Sequence, residues 1–544
     1  FPTRRSSDLN LLSGVEKSGV TQHLVHKDPS NFGQLAPAGQ KALEDVERFL
    51  RNNPDMRSRV NRLRAAGKLE EYVRECHDEM TTASKKHKKG YEGAMVLDAK
   101  SGFIDDPTLI LDFQSLYPSI MRGHNLCYST NVRSVADAER MGVAYEVSPS
   151  GDVFVTKDVF VGLLPQQLTD GFNRRLEYKR VGFKAGDEAT KTYINSVYGG
   201  TGDDKYVTSK LPMIEIARSV TSYGQKYILL TKTMIEERGL QILDDARVKA
   251  LDIVYGDTDS VFIRVVLHDR SVLRDIDKAR VDIERWGEKL AAAVTAQLPQ
   301  PMKLLFEKFM FPLVLVTKKK YFGPSYAPGR PAEPYCRGMA SKVRTYCRFV
   351  NDACQQMERL VVERAFVDST PEQRAGLIRR RMEGCMLELV KMCARPTEAD
   401  LERLLITKKY DSSRQYAGQN MPHLEVVRKR KERNAEDVPH NERISYLFMR
   451  PPGSTPQYEL TSDYYVHAED TAHVRKRLRK QQRVELFFNF YANNQLANAL
   501  RLQLVPIFMT GKEYDAAMRE LFRVAARGDG GGTLFQYLKS NKKQ

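Results

Sequence analysis

No stretch of this 544-residue sequence holds 18 consecutive apolar residues, so no membrane-spanning helix is expected. No apolar signal-peptide core opens it either. Cysteine is sparse: the seven residues, at positions 76, 127, 336, 347, 354, 385 and 393, form no CxxC pair and have no histidine at zinc spacing. They read as free thiols of a reducing compartment, which argues against a disulfide framework or a zinc site. Acidic residues are in deficit, 69 Asp+Glu against 86 Lys+Arg, leaving a net charge of +17. Such an excess points to a polyanionic partner, phosphate backbone being the commonest, although charge alone does not separate this from a merely basic surface. No internal repeat is visible. What remains, 41% hydrophobic and 28% charged, is globular and long enough for roughly three or four compact units.

The first nine residues, FPTRRSSDL, read as the translation of a sequencing-library adapter, so they are expected to be a scar foreign to the fold. Residues 36–88 carry apolar positions at helical spacing, as in KALEDVERFL and GKLEEYVREC, ending in a basic loop, KKHKKG. Strand-like runs separated by turn residues follow over 94–120. Helical periodicity returns over 165–198, broken at VGFKAGDE, and again at 213–238. Strands are predicted at 251–266, a helix at 271–298, and strands at 311–322 and 335–340. Beyond 342 the chain reads as helical and strongly basic, with RKRKER at 428–433 and RKRLRKQQR at 475–483, a helical end suited to a charged partner. Strands in the middle and helices at the end predict an α+β fold with a mixed sheet carrying the chemistry.

The carboxylates stand out. VYGDTDSVF (254–262) puts Asp257 and Asp259 one residue apart at a turn between β-forming runs. Alone it passes for an ordinary hairpin; yet the two charges repel unless a cation sits between them. In LILDF (109–113), Asp112 interrupts a strand apolar on both faces, and a buried aspartate needs a partner or a metal. Asp112 and Asp259 on adjacent strands could bridge two Mg²⁺ ions about 3.5–4 Å apart, a geometry suited to in-line displacement at phosphorus. In KTYINSVYGGTG (191–202), Lys191, Asn195 and Tyr198 form one helical stripe able to meet the phosphate, sugar and base of a nucleotide, with the helix ending at Gly199-Gly200. Arg175 and Lys179, four apart in FNRRLEYKR, lie on the preceding helix; taken alone, these basic residues fit a solvated amphipathic face.

These residues together resemble the polymerase portion of a family B (α-like) DNA polymerase: DFQSLYPS (112–119) is similar to motif A, KTYINSVYG (191–199) to motif B and YGDTDS (255–260) to motif C, in the family's order. YEGA (91–94), HNLCYST (124–130), TKKKYFG (317–323), RGMASKVRTYCRFVN (337–351) and ANNQLANAL (492–500) extend the resemblance over about residues 88–505. It implies a right-hand architecture: a palm at 91–164 and 201–341, helical fingers at 165–200 and a helical thumb at 342–527. Residues 10–90 would lead from an exonuclease domain, and 528–544 would be a flexible tail.

The resemblance also implies roles. Asp112 and Asp259 would hold both Mg²⁺ ions, with Asp257 supporting and the Phe113 carbonyl completing a metal shell. The amides of Ser115, Leu116 and Tyr117 would cradle the triphosphate of a dNTP, and Tyr117 would clash with a 2′-hydroxyl. Lys191, Arg175 and Lys179 would neutralise phosphates, and Asn195 and Tyr198 would face the nascent base pair. Lys318, Lys319, Lys320 and Tyr321, with Tyr91, Gly93 and Arg344, would hold primer-template DNA. A monomer is expected, with a possible processivity factor docking on TLFQYLKS near the C-terminus, although a disordered tail is the plainer reading of that segment.

Departures matter too. The 175–191 gap is shorter than the family usually shows, which predicts a stubby fingers hairpin and keeps Arg174 and Arg180 as alternatives to Arg175 and Lys179. Lys320 stands where arginine is usual. No exonuclease carboxylate set occurs in 10–90, and the expectation is that it belongs to a part of the protein outside this sequence. Absent zinc-type cysteine clusters, together with HNLCYST and RTYCRFVN, point to a large DNA virus, herpesvirus-like, acting inside the cell and in the host nucleus. An inactive DNA-binding relative would have lost carboxylates that remain here. A two-metal nuclease would have no use for the Lys191 stripe, and a reverse transcriptase would usually carry adjacent aspartates.

Overall fold

The computed structural model describes residues 93–202, 212–411, 420–434, 438–452, 464–505 and 507–527, and Ala94–Gln544 forms one compact unit. The adapter-like residues 1–9, the helical region predicted at 36–88 and the tail at 528–544 lie outside the described residues.

The first part of the unit runs β1 (Val96–Leu97), β2 (Gly102–Ile104), β3 (Thr108–Phe113) and α1 (Leu116–Gly123). A three-stranded sheet follows, made by β4 (Asn131–Val132), β5 (Tyr145–Val147) and β6 (Val153–Val155), with α2 (Val135–Met141) between its first two strands. Two 18-residue helices, α3 (Leu163–Arg180) and α4 (Lys184–Thr201), form an antiparallel hairpin, each about 27 Å long at 1.5 Å per residue. The long helix α5 (Ile214–Leu243) leads to β7 (Val248–Asp257) and β8 (Ser260–Leu267). Then come α6 (Ile276–Thr295), β9 (Leu304–Met310), β10 (Leu313–Thr317), β11 (Lys320–Tyr326) and β12 (Glu333–Arg337).

Nine of these strands make one antiparallel sheet in the order β1-β7-β8-β3-β9-β11-β10-β2, with β12 on the free side of β11. β3 lies in the middle, which is why its sequence is apolar on both faces. Leu109, Leu111 and Phe113 pack with Ile120, Tyr223 and Leu290 of α1, α5 and α6. Ile110 points the other way, into a small cluster with Tyr255, Phe262 and Leu315. Successive strand residues alternate faces, so Asp112 shares the side of Ile110, away from the three helices.

The C-terminal part contains α7 (Arg348–Val362), α8 (Arg364–Val367), α9 (Pro371–Ala394), α10 (Glu398–Leu404), β13 (Ile406–Lys409), α11 (Pro422–Asn434), β14 (Arg443–Phe448), β15 (Ala468–Asp470) and α12 (Thr471–Arg479). A π-helical segment, Phe490–Ala497, then leads to α13 (Asn498–Leu504) and α14 (Gly511–Arg527). A reciprocal Thr370–Gln373 capping box starts α9. The π-helical segment sends Gln495 to accept a bond from the Cys347 N–H at the start of α7, 3.1 Å. All six cysteines among the described residues are free. No described helix is long and apolar enough to cross a membrane.

Several predicted elements differ. The strand-like reading of 94–120 stops at Phe113, because Ser115 turns the chain in a left-handed conformation (φ 49°) and Pro118 is accommodated in the first turn of α1. Helix α4 continues through Gly199 and Gly200 to Thr201. Strand β9 and the sheet β13-β14-β15 were not predicted, since short strands within charged text carry little alternation of their own. The basic run at 428–433 is largely spent inside the chain. Arg428 pairs with Glu425 (2.7 Å), Arg430 with Glu442 (2.8 Å) and Asp470, and Arg433 with Glu469 (2.7 Å). Lys429 donates to the carbonyls of Val466 and Ala468. Arg475 and Arg479 likewise pair with Glu402 and Glu398. Arg430 and Arg433 tie α11 to β15, and Arg475 and Arg479 tie α12 to α10, so much of this charge is paired within the chain.

One buried acid gives a pH test. Glu358 on α7 is 7% exposed and accepts a bond from Gln503 Nε2 (2.8 Å), and burial pushes its carboxyl up to about 7 from an ordinary 4.5. A folded value above the unfolded one means that the contribution to stability is fully present below about pH 4.5 and is lost as pH rises through 7. Glu358→Gln is therefore expected to raise Tm by a few degrees at pH 8, on the order of 2 kcal/mol, and to lose that advantage by pH 4.5. Thermal melts at the two pH values check this.

Candidate active site

The β7–β8 hairpin turns on two residues, Thr258 and Asp259, between the paired Asp257 and Ser260. Thr258 adopts a left-handed conformation (φ 61°), and the Asp259 N–H donates to the Asp257 carbonyl at 2.6 Å. Strand β3 runs alongside: Asp112 is in register with Ser260, and the Phe113 N–H donates to the Asp259 carbonyl at 2.8 Å. Backbone pairing thus brings Asp112 and Asp259, 147 positions apart by number, to neighbouring sites at one end of the sheet.

Their electrostatics follow. Burial, then the charge of Asp259, then Glu307, push the Asp112 carboxyl up to about 7. Burial, with Asp257 and Glu307, raises that of Asp259 as well. Two carboxylates pushed upward by burial and by neighbouring carboxylates are under-compensated and favour a cation. Lys319, whose Nζ lies 2.8 Å from Asp257 Oδ1, draws the Asp259 carboxyl partly back down by its charge. Among the described residues no group of three or more His, Cys, Asp or Glu side chains is gathered as a ready-made metal cage. An open carboxylate pair still fits Mg²⁺, which is commonly held by one or two carboxylates plus phosphate oxygens and water.

Glu307 is a member that sequence reasoning missed. It sits on β9 where the ladder with β3 slips between Ile110↔Lys308 and Leu111↔Phe306, so it is the extra residue of a bulge. A bulge re-aims a side chain, and here the Glu307 charge is felt at both Asp112 and Asp259. No local pattern in FEKFMF announces it. Its neighbour Lys308, 6% exposed, was missed too; its Nζ lies 3.6 Å over the Tyr335 ring and 3.2 Å from Glu307 Oε1.

Ser115, Leu116 and Tyr117 stand where β3 turns into α1, the helix end that favours anions. Tyr117 packs on Tyr198 of α4, ring centroids 4.4 Å apart, which joins the strand–helix unit to the helical hairpin. Lys191 and Asn195 are exposed on α4, beside the half-buried Tyr198, while Ile194 is fully buried against Gly171 of α3. Lys191 lies close enough to Asp112 to pull its carboxyl back down. The hairpin connection is only Val181-Gly182-Phe183, with Gly182 at φ 72°. Lys179 is exposed, but Arg175 is not a free cation: its Nε donates to Asp187 Oδ1 at 2.7 Å, with the pair half-buried between α3 and α4.

The expected DNA grip at 318–321 is the β10–β11 turn. Lys318 pairs with Asp98 (2.8 Å) and Lys319 with Asp257, and the Lys319 N–H donates to the Tyr255 hydroxyl at 2.8 Å. Gly338 closes over this turn at φ 63°, where an added Cβ would stand 2.2 Å from the Lys319 carbonyl. Tyr321 packs edge-on against Phe262 and stacks near Tyr335, so its ring is used inside the sheet. Lys320 is half-exposed and Arg344 exposed. Tyr91 lies outside the described residues; Gly93 is exposed at their start.

A model of DNA polymerase family B matches residues 63–507. The DNA polymerase delta catalytic subunit of Caenorhabditis elegans is 31% identical over 436 residues, 77% of this chain and 36% of that protein. Its counterpart in Schizosaccharomyces pombe is 31% identical over 434 residues with the same shares, and that of Mesocricetus auratus 29% over 447 residues, 79% and 37%. The chain thus spans about a third of the length of these relatives. All three are eukaryotic, which lends no support to the viral origin expected from HNLCYST and RTYCRFVN. With the match covering most of its length, the chain belongs to DNA polymerase family B.

Proposed function

We propose that this chain carries the polymerase part of a delta-type catalytic subunit, performing template-directed transfer of a deoxynucleotide to a primer 3′-hydroxyl. The observation that carries the reading is the juxtaposition of Asp112 and Asp259 at one end of the sheet, both carboxyls raised, with Lys191 of the α4 stripe close enough to act on Asp112. The nine-stranded sheet would be the palm, the α3–α4 hairpin the fingers and the elements from α7 onward the thumb.

Asp112 and Asp259 would hold Mg²⁺, with the Phe113 carbonyl as a further ligand. Bound there, the metal pair would activate the primer hydroxyl and neutralise the leaving pyrophosphate. Asp257, tied to Lys319, would support the hairpin and aim that ammonium along the β10–β11 turn. The first turn of α1 would meet the triphosphate, with Lys191 and Lys179 neutralising it and Arg175 reaching it only by leaving Asp187. Tyr117, backed by Tyr198, would sit under the sugar, and Asn195 would face the new base pair. Lys318, Lys320 and Arg344 would follow the duplex backbone without reading sequence. Partners would be primer-template DNA, dNTPs and accessory subunits; the proposed docking segment TLFQYLKS lies outside the described residues.

The test is extension of a primer recessed on a DNA template, with Mg²⁺ and dNTPs. Extension that follows the template sequence and stops on chelation supports the reading. A protein folded by circular dichroism that binds primer-template but adds no nucleotide sinks it.

A further inference from the structure

We infer that Asp187 is an internal stand-in for nucleotide phosphate, an anion that occupies the cation cluster of the helical hairpin until a triphosphate displaces it. The inference rests on the polymerase reading and deepens it by naming a residue that sets nucleotide affinity.

Asp187, Lys191 and Asn195 lie at i, i+4 and i+8 of α4, one stripe. Across from it on α3, Arg175 and Lys179 are also four apart. Arg175 touches the Asp187 carboxylate, and Lys179 and Lys191 lie near enough for their charges to act on it. Arg175 is bonded to it directly, Nε to Oδ1 at 2.7 Å, and that bond, aided by the charges of Lys179 and Lys191, holds the Asp187 carboxyl below the usual range. Arg175 is only 14% exposed at its side chain and Asp187 22%, so the guanidinium is not offered to solvent while this pair persists.

The cations are those a triphosphate needs, and the carboxylate repels what they attract. A phosphate oxygen can take the place of Asp187 Oδ1 on Arg175 without leaving the guanidinium unsatisfied, since both are anionic oxygen acceptors for its N–H donors. The exchange keeps the hairpin neutralised before nucleotide arrives and lowers affinity for the nucleotide. A plain helix clamp predicts the opposite: loss of the charge would loosen Arg175 and weaken phosphate binding.

The sign of one substitution separates the two. Binding of inorganic tripolyphosphate to the full chain, by calorimetry, and the dNTP KM in primer extension are measured for wild type, Asp187→Asn and Asp187→Glu. Removing one like charge at contact range is expected to tighten tripolyphosphate binding and lower KM roughly five- to tenfold in Asp187→Asn. Asp187→Glu should stay near wild type. Unchanged or weaker binding in Asp187→Asn, or no binding of tripolyphosphate by any form, overturns the inference, as does equal tightening in Asp187→Glu. If tripolyphosphate binding tightens as expected but no variant extends a primer, the phosphate site stands and the polymerase reading falls.

Discussion

Asp259→Ala is expected to abolish primer extension, by roughly 10³-fold or more, while leaving the protein folded. A carboxylate holding the ions that stabilise transition-state charge carries several kcal/mol of the barrier, and each 1.4 kcal/mol is tenfold. Asp112→Asn should match it in activity and add a diagnostic. The Asp112 carboxyl is held at about 7 against an ordinary 3.8, so its contribution to stability is fully present below pH 3.8 and lost as pH rises through 7. At pH 8 the metal-free protein bears that penalty in full. Asp112→Asn should therefore melt at higher temperature than wild type in chelator, with the gain shrinking toward pH 4. Asp257→Ala should behave differently, because its partner is Lys319: a smaller loss of rate and a larger loss of DNA affinity. Extension assays and melts of the three variants check the pattern. A carboxylate pair serving only as a hairpin brace would lower Tm when neutralised, with rate following stability.

Tyr117→Ala is expected to lose sugar selection. The Tyr117 ring is held from one side by Tyr198 at 4.4 Å, while Gly224 of α5 leaves room beside it, its missing Cβ site being 3.5 Å from Tyr117 Cε1. A ring braced in this way can exclude a 2′-hydroxyl by contact, and removing it takes away the repulsive element that discriminates. Ribonucleotide insertion efficiency relative to deoxynucleotide should rise roughly 10²-fold. Tyr117→Phe should retain selection, since the exclusion is steric. Single-nucleotide insertion kinetics with matched dNTP and rNTP give the ratio; equal selection in Tyr117→Ala would place the gate elsewhere.

Much of the candidate site is legible in the sequence because its parts are local. Asp112 lies in six residues apolar on both faces, and only a central strand buries both. Lys191, Asn195 and Tyr198 share a stripe because a helix repeats every 3.6 residues, whatever it packs against. Asp257 closes the strand before a two-residue turn and Asp259 is the second residue of that turn, a spacing that forces their proximity.

What the sequence determined by itself was therefore the inventory of chemistry and the element carrying each part. Only the tertiary structure decided which charges face one another. The Glu307 side chain depends on a one-residue slip between β3 and β9; Lys319 is spent on Asp257 across two hairpins; Arg175 is taken by Asp187 on the next helix. The arginines of 428–433 look like a polyanion-binding surface until Glu442, Glu469 and Asp470, 12 to 40 positions on, fold onto them. Charge partners are chosen by register and packing between distant segments, and Coulomb energy acts through space, blind to order along the chain.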